Sequence, residues 1–178
     1  KDSAIRPNTS QKILNDLKLV FDEKGTITAG TASPLTDGAA ATLICNEEYA
    51  KKNNLNILAK IVSIAVQGCP PELMGLGPIE ASKKALKRAN LTIEDIDIVE
   101  INEAFASQSL ACIGELKIDP LKVNIDGGAI ALGHPLGATG ARITAKAAQL
   151  LQREQKRYAL ITQCIGLGQG IATIIENY

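Results

Sequence analysis

Three short stretches hold the side chains best suited to chemistry. Asn102 lies in "EINEAFA", His134, the sole histidine, in "DGGAIALGHPLGATGAR", and Cys164 in "CIGLGQG". An amide donor, an imidazole base and a thiol acid/base together suit acyl or enolate chemistry, in which charge grows on an oxygen while a proton moves at carbon. Five glycines crowd residues 126–142. Glycines beside the histidine and after the cysteine let backbone N–H groups approach a substrate, and an N–H that follows a catalytic thiol is an oxyanion donor. Taken singly, each residue also has a plain structural reading. Asn102 would cap a helix beginning near Ala104, Cys164 would be a small buried hydrophobe, and His134 a satisfied polar group in a glycine-rich turn.

Other chemistries fit less well. "GHPLGATG" is neither G-x-G-x-x-G nor a P-loop, and "GLGQG" leads from one strand into another rather than into a helix whose amino terminus could hold a phosphate. One histidine, and Cys45, Cys69, Cys112 and Cys164 set far apart, offer no metal-ligand spacing and no disulfide framework. Reduced thiols in a cytoplasmic setting are expected. Cys45 and Cys112 read as core residues and Cys69 as a loop thiol.

The elements that must position these groups follow from pattern. Helices are expected over 8–18 with Thr9 or Ser10 as cap, over "NEEYAKKNN" with Asn46 as cap, over "PIEASKKALKRAN" with Pro78 in the first turn, over "FASQSLACIGEL", and from about Ala138 to Glu154. Strands are expected at "GTITAG", "GAAATLIC", "ILAKIVSIAVQG", "IDIVEINEA", "VNIDGG", "YALITQC" and "GIATIIEN". From residue 58 the order β-α-β-α-β-α-β-β implies a layered α/β domain, its last two strands an antiparallel pair. In such sheets the loops at the carboxyl ends of strands build sites, and that rule gathers the loops bearing Asn102, His134 and Cys164.

Composition bounds the partners. The 178 residues carry 19 basic and 19 acidic side chains, and only 3% are aromatic. Neither an electrostatic footprint nor stacking platforms for nucleic acid are present. No run approaches the roughly 20 apolar residues of a membrane span. A soluble protein is expected, with no nucleic-acid or membrane partner. The opening "KDSAIRPNTS" lacks a Met and reads as a cut from a longer chain.

At this point the sequence resembles the thiolases, which form or cleave the carbon–carbon bond of 3-oxoacyl-CoA with acetyl-CoA and CoA. The resemblance rests on "GTITAGTASPLTDGAAA" (25–41), "MGLGPIEASKKAL" (74–86), "EINEAFA" (100–106), "NIDGGAIALGHPLGATGAR" (124–142) and "CIGLGQG" (164–170), in the family's order. It implies ping-pong acyl transfer with CoA and acyl-CoA as substrates, no other cofactor and no metal. Cys164 matches the cysteine that moves the α-proton. His134 matches the histidine that activates the nucleophile and helps bind the thioester oxygen, Asn102 the asparagine that holds a water in that oxyanion hole, and the Gly166 N–H a donor of the other hole. Ser33 matches a serine on the pantetheine arm; Ala29, Met74 and Phe105 match positions lining the substrate tunnel, where packing is the competing reading.

None of the four cysteines matches the family's nucleophile, which lies in the amino-terminal half. The implied fold is therefore thiolase-like layered α/β/α, a mixed, mostly parallel five-stranded sheet with helices on both faces. Residues 1–57 would be the tail of the amino-terminal domain and 58–178 the carboxyl-terminal domain. The implied partners are the missing amino-terminal half and further copies in a homodimer or homotetramer. Thr31 and Leu167 depart from the family's usual Asn and Gly. "IRPNTS" followed by "GTITAG" leans toward the degradative, fatty-acid-metabolising type. The alternative is a thiolase-like protein that binds acyl-CoA or lipid without catalysis.

Overall fold

In the structure, a computed structural model describing residues 4–178, strand alternation and helical stripes meet in two apolar layers on either side of one sheet. Strands β1 (Ala59–Gly68), β2 (Ile98–Ile101), β3 (Tyr158–Ile165) and β4 (Gln169–Asn177) lie in the order β1-β4-β3-β2. Successive side chains of a strand face opposite ways. Val99, Ile101, Leu160 and Ile174 therefore join one cluster, while Ile98, Ala159, Ile161 and Ile175 join another.

Helix α3 (Gly77–Ala89) starts on Pro78 and ends at Asn90, whose left-handed φ of 55° closes the last turn. Its Ala81, Ala85 and Leu86 share the first cluster with Cys112 of α4 (Ala106–Glu115) and Leu116 just after it. Helix α6 (Leu136–Arg153) covers the other face with Ile143, Ala147, Leu150 and Leu151, a helical stripe. Each large side chain sealed in these layers, such as Leu160 or Ile174, stabilises the fold by roughly 1.5–3 kcal/mol.

The amino-terminal part holds two short helices. Ser10 caps α1 (Gln11–Asn15), its Oγ accepting from Ile13 N–H, and Asn46 caps α2 (Glu47–Lys52) through Tyr49 N–H. Two expectations about strands fail here. "GTITAG" makes only an isolated antiparallel bridge between Thr28 and Leu19. Residues 38–45 run exposed, without a strand partner among the described residues. Apolar composition marks a segment for burial but cannot supply the ladder that makes it a strand. Cys45, expected in the core, is accordingly exposed.

The layered α/β arrangement with helices on both faces is present, but among the described residues the sheet has four strands rather than five. Only β2–β3 is parallel, whereas β1–β4 and β3–β4 are antiparallel. The tight turn between β3 and β4 forces one antiparallel pair, and β1 returns along β4. The missing strand is "VNIDGG". Val123 bridges Val99, but at Asn124 the backbone turns to φ 44° and the side chain takes over the ladder. Ile101 N–H donates to Asn124 Oδ1 at 3.0 Å, and Asn124 Nδ2 donates to Ile101 O at 2.9 Å. Gly127 at φ 92° then carries the chain away to α5 (Ala129–Leu132).

Candidate active site

Asn102 follows β2, anchored by its N–H to Thr162 O at 3.0 Å. It is 1% exposed, and both atoms of its amide lack a hydrogen-bond partner among the described residues. A buried amide left unpaired costs about 1–3 kcal/mol, so a donor and an acceptor held this way stand out in the fold. Asn102 is not the cap of α4, which begins at Ala106 after Phe105 with no side-chain cap.

The next residue fixes the loop. Glu103 Oε1 accepts from Asn124 Nδ2 at 2.8 Å and Oε2 from Ile130 N–H at 3.1 Å. Gly128 sits so close that any Cβ there would overlap the Glu103 carboxylate. One carboxylate thus ties the end of β2 to the segment that leads into His134.

His134 stands between α5 and α6. Gly133 before it adopts φ 100° and packs on the Thr36 side chain, leaving no room for a Cβ. His134 N–H donates to Thr36 Oγ1 at 3.1 Å, and Leu35 forms a parallel bridge to His134. The imidazole Nδ1 lies 2.7 Å from Thr139 Oγ1. Burial, aided by the Arg142 cation, lowers the His134 pKa from its ordinary value. The ring is therefore neutral at pH 7 and able to take a proton. An open cleft of about 320 Å³ runs beside it between residues 36–40 and 135–138.

Cys164 lies one residue before the end of β3, opposite Gly170 of β4, and is partly buried. Burial pushes its thiol pKa up, so the resting form is S–H. The turn that follows has two kinds of glycine. At Gly168, φ is 90° and a Cβ would strike the backbone of Cys69 and Pro71. At Gly166 nothing lies within 4 Å of a Cβ and φ is not left-handed, so packing does not demand a glycine there. Leu167 is 89% exposed and points away from the protein.

Around this turn, Cys69 N–H donates to Gly168 O at 2.8 Å, and the Cys69 thiol lies on its loop 3.7 Å from Leu73 O. Cys112 is fully buried, its thiol pushed up to about 11 by desolvation, in keeping with a core residue. Met74 is half-buried in the 3₁₀ stretch Pro71–Leu76, which packs on β3, β4, α3 and α4.

The amino-terminal tail clamps the site from the other side. Ser33 N–H donates to Ala104 O at 3.0 Å, its Oγ lies 3.4 Å from the same oxygen, and Ala106 N–H reaches Thr31 O at 2.8 Å. Half-buried Phe105 bridges Ala32. Ser33 and Phe105 thus adjoin the Asn102 loop, whereas Ala29 sits exposed on the Thr28–Thr31 turn, away from these contacts.

Sequence reasoning missed Thr36, Thr139, Glu103 and Asn124, whose roles depend on contacts between distant segments. It also missed Glu100, buried in β2 with its carboxyl raised to about 7 by desolvation, which Arg142 and Lys146 only partly offset. An acid inside the apolar stretch "IVEI" was the available signal.

Comparison with known proteins gives a consistent set. The family model described as the thiolase C-terminal domain matches residues 55–177, and that of the thiolase N-terminal domain matches residues 1–48. A 3-ketoacyl-CoA thiolase of Vibrio parahaemolyticus is 54% identical over 180 residues, covering 99% of this chain and 46% of its own length. The crystal structure of human mitochondrial 3-ketoacyl-CoA thiolase in complex with CoA superposes with a TM-score of 0.93 at 48% identity, over 99% of this chain and 45% of that one. The Bacillus anthracis acetyl-CoA acetyltransferase superposes with a TM-score of 0.97 at 43% identity, over 100% of this chain and 45% of that one. The chain spans about half the length of the curated relatives it matches.

Proposed function

The chain belongs to the thiolase family, and from that premise we propose that it supplies the α-carbon chemistry of an acyl-CoA C-acyltransferase that forms or cleaves 3-oxoacyl-CoA. The observation that carries this reading is Asn102: a buried amide with donor and acceptor unpaired, on a loop tied by Glu103 to the segment leading into His134. That combination suits a site for a thioester oxygen that becomes an enolate.

In this reading a nucleophilic thiol from outside these residues takes the acyl group, and CoA leaves as its thiol by taking the proton of the Cys164 S–H, which leaves Cys164 a thiolate. His134, neutral at pH 7, accepts the nucleophile's proton. For condensation the Cys164 thiolate removes a proton from the α-carbon of acetyl-CoA: the C–H bond breaks, the S–H bond forms, and the electron pair moves onto the thioester oxygen. His134 and a water on Asn102 stabilise that oxygen. The enolate carbon then attacks the acyl-enzyme, forming the carbon–carbon bond and releasing the nucleophilic thiolate. The Gly166 N–H serves the second oxyanion, and Ser33, Met74 and Phe105 line the approach of the pantetheine arm; Ala29 stands at its outer end.

The proposal extends to a division near residue 57 between an amino-terminal-domain tail and a carboxyl-terminal domain, to a homodimer or homotetramer, and to a cytoplasmic, degradative role. The relatives' name, 3-ketoacyl-CoA thiolase, supports the degradative assignment. Four free cysteines suit a reducing compartment. The test is reconstitution with the nucleophile-bearing half of the Vibrio relative, followed by acetoacetyl-CoA cleavage with CoA. Cleavage that fails with Cys164→Ser, while the nucleophile still acylates, supports the reading. CoA binding with no turnover in any pairing would favour a binding protein instead.

A further inference from the structure

Thr139 is sealed from solvent in the first turn of α6, and its hydroxyl has two neighbours. Oγ1 lies 3.0 Å from Pro135 O and 2.7 Å from His134 Nδ1. A hydroxyl has one hydrogen to give. Two oxygen acceptors 3.0 Å apart with no proton between them repel, so the hydrogen belongs on the line to Pro135 O, the back-bond that a threonine makes one helical turn up. Oγ1 then meets Nδ1 as an acceptor, and Nδ1 must carry the ring hydrogen.

We propose that Thr139 is a positioning residue that fixes neutral His134 as the Nδ1–H tautomer, leaving Nε2 with its lone pair for proton abstraction. The inference deepens the acyl-transfer reading of the same site. In the step it serves, the nucleophile's S–H bond breaks, the hydrogen passes to Nε2, and the electron pair stays on sulfur. The imidazolium so formed keeps Nδ1–H on Thr139 and turns Nε2–H toward the developing oxyanion. The backbone supports the same orientation, since Thr36 Oγ1 takes the His134 N–H while donating to Pro34 O at 2.7 Å.

His134 is the only histidine, so its two ring nitrogens can be assigned without ambiguity by nitrogen NMR on the whole chain labelled at histidine. At pH 8 the expected spectrum has a protonated-type shift at Nδ1 and an unprotonated-type shift at Nε2. Thr139→Val keeps the shape and removes the acceptor, and should lower the Nδ1–H to Nε2–H ratio by roughly tenfold; Thr139→Ser should restore it. A wild-type chain with Nε2–H as its main neutral form, or a Thr139→Val chain with an unchanged ratio, overturns the proposal. Should Thr139→Val not fold, the wild-type shifts decide. The ratio is read without turnover, so a failure of the acyl-transfer reading leaves this result standing on its own.

Discussion

Glu103 and Asn124, 21 residues apart, meet through a 2.8 Å hydrogen bond from Nδ2 to Oε1, and through it the loop after β2 is joined to the loop that replaces an expected strand. Asn124 spends the rest of its amide on the Ile101 backbone, so the pair splices three segments. Glu103→Ala strands one Asn124 Nδ2 hydrogen and the Ile130 N–H together. The expected cost is about 2–4 kcal/mol, measured as a lower urea midpoint at unchanged slope. A loss below about 0.5 kcal/mol would mean that the splice is replaceable.

Glu100 makes stability depend on pH. Its carboxyl is raised from 4.5 to about 7 in the fold, with Arg142, Lys146, Asp126 and Glu103 as the charges that face it. A raised acid pKa means that the fold holds the proton more tightly than the unfolded chain. The stabilisation is complete below pH 4.5 and is lost as pH rises through 7, about 3 kcal/mol in all. Glu100→Gln, which cannot ionise, should be more stable than wild type at pH 8 and indistinguishable near pH 4.5. Urea unfolding of both chains at the two pH values checks this; equal stability at pH 8 contradicts it.

The two glycines of the β3–β4 turn should separate. Gly168→Ala combines a left-handed φ with a backbone clash at Cys69 and Pro71, and is expected to lower stability by about 2 kcal/mol or more. Gly166→Ala meets nothing within 4 Å and should leave stability within about 0.5 kcal/mol. In a reconstituted enzyme it should still slow turnover by crowding the substrate side. Thermal melts of both variants, paired with the cleavage assay, show whether Gly166 is kept for space or for folding.

Apolar surface is exposed at Leu43 (77%) and Ile44 (70%) on a segment with no ladder, and at Ile61, Ile64 and Val66 on the edge strand β1. Such surface associates. The chain alone should show a mass that rises with concentration in sedimentation, and Leu43→Lys with Ile44→Lys should lower it. A well-behaved monomer across the accessible range would contradict this expectation.

Much of the fold was legible where local chemistry is decisive. Ser10, Asn46 and Pro78 mark helix starts because a cap or a fixed φ acts within one turn, and the β3–β4 hairpin follows from a glycine turn between two apolar runs. The strand order was not legible, because pairing depends on partners far away in sequence. "VNIDGG" has strand composition, yet Asn124 spends its side chain on the ladder and ends the strand. The loops bearing Asn102, His134 and Cys164 stood out through their glycines and their places after strands. Thr139 and Thr36 did not, since a threonine hydroxyl shows its partner only once the chain is folded. Cys45 misled for the same reason: burial of an apolar run needs something to cover it.

The most direct test of the proposed chemistry is solvent exchange at the α-carbon. The chain, reconstituted with a relative's amino-terminal half whose nucleophile is replaced by alanine, is given acetyl-CoA in deuterated buffer, and methyl deuteration is followed by mass spectrometry. Exchange by wild type that falls by two or more orders of magnitude with Cys164→Ser, and about tenfold or more with Asn102→Ala, is the expected result. Exchange that persists unchanged in Cys164→Ser would contradict the assignment of Cys164 as the residue that moves the α-proton.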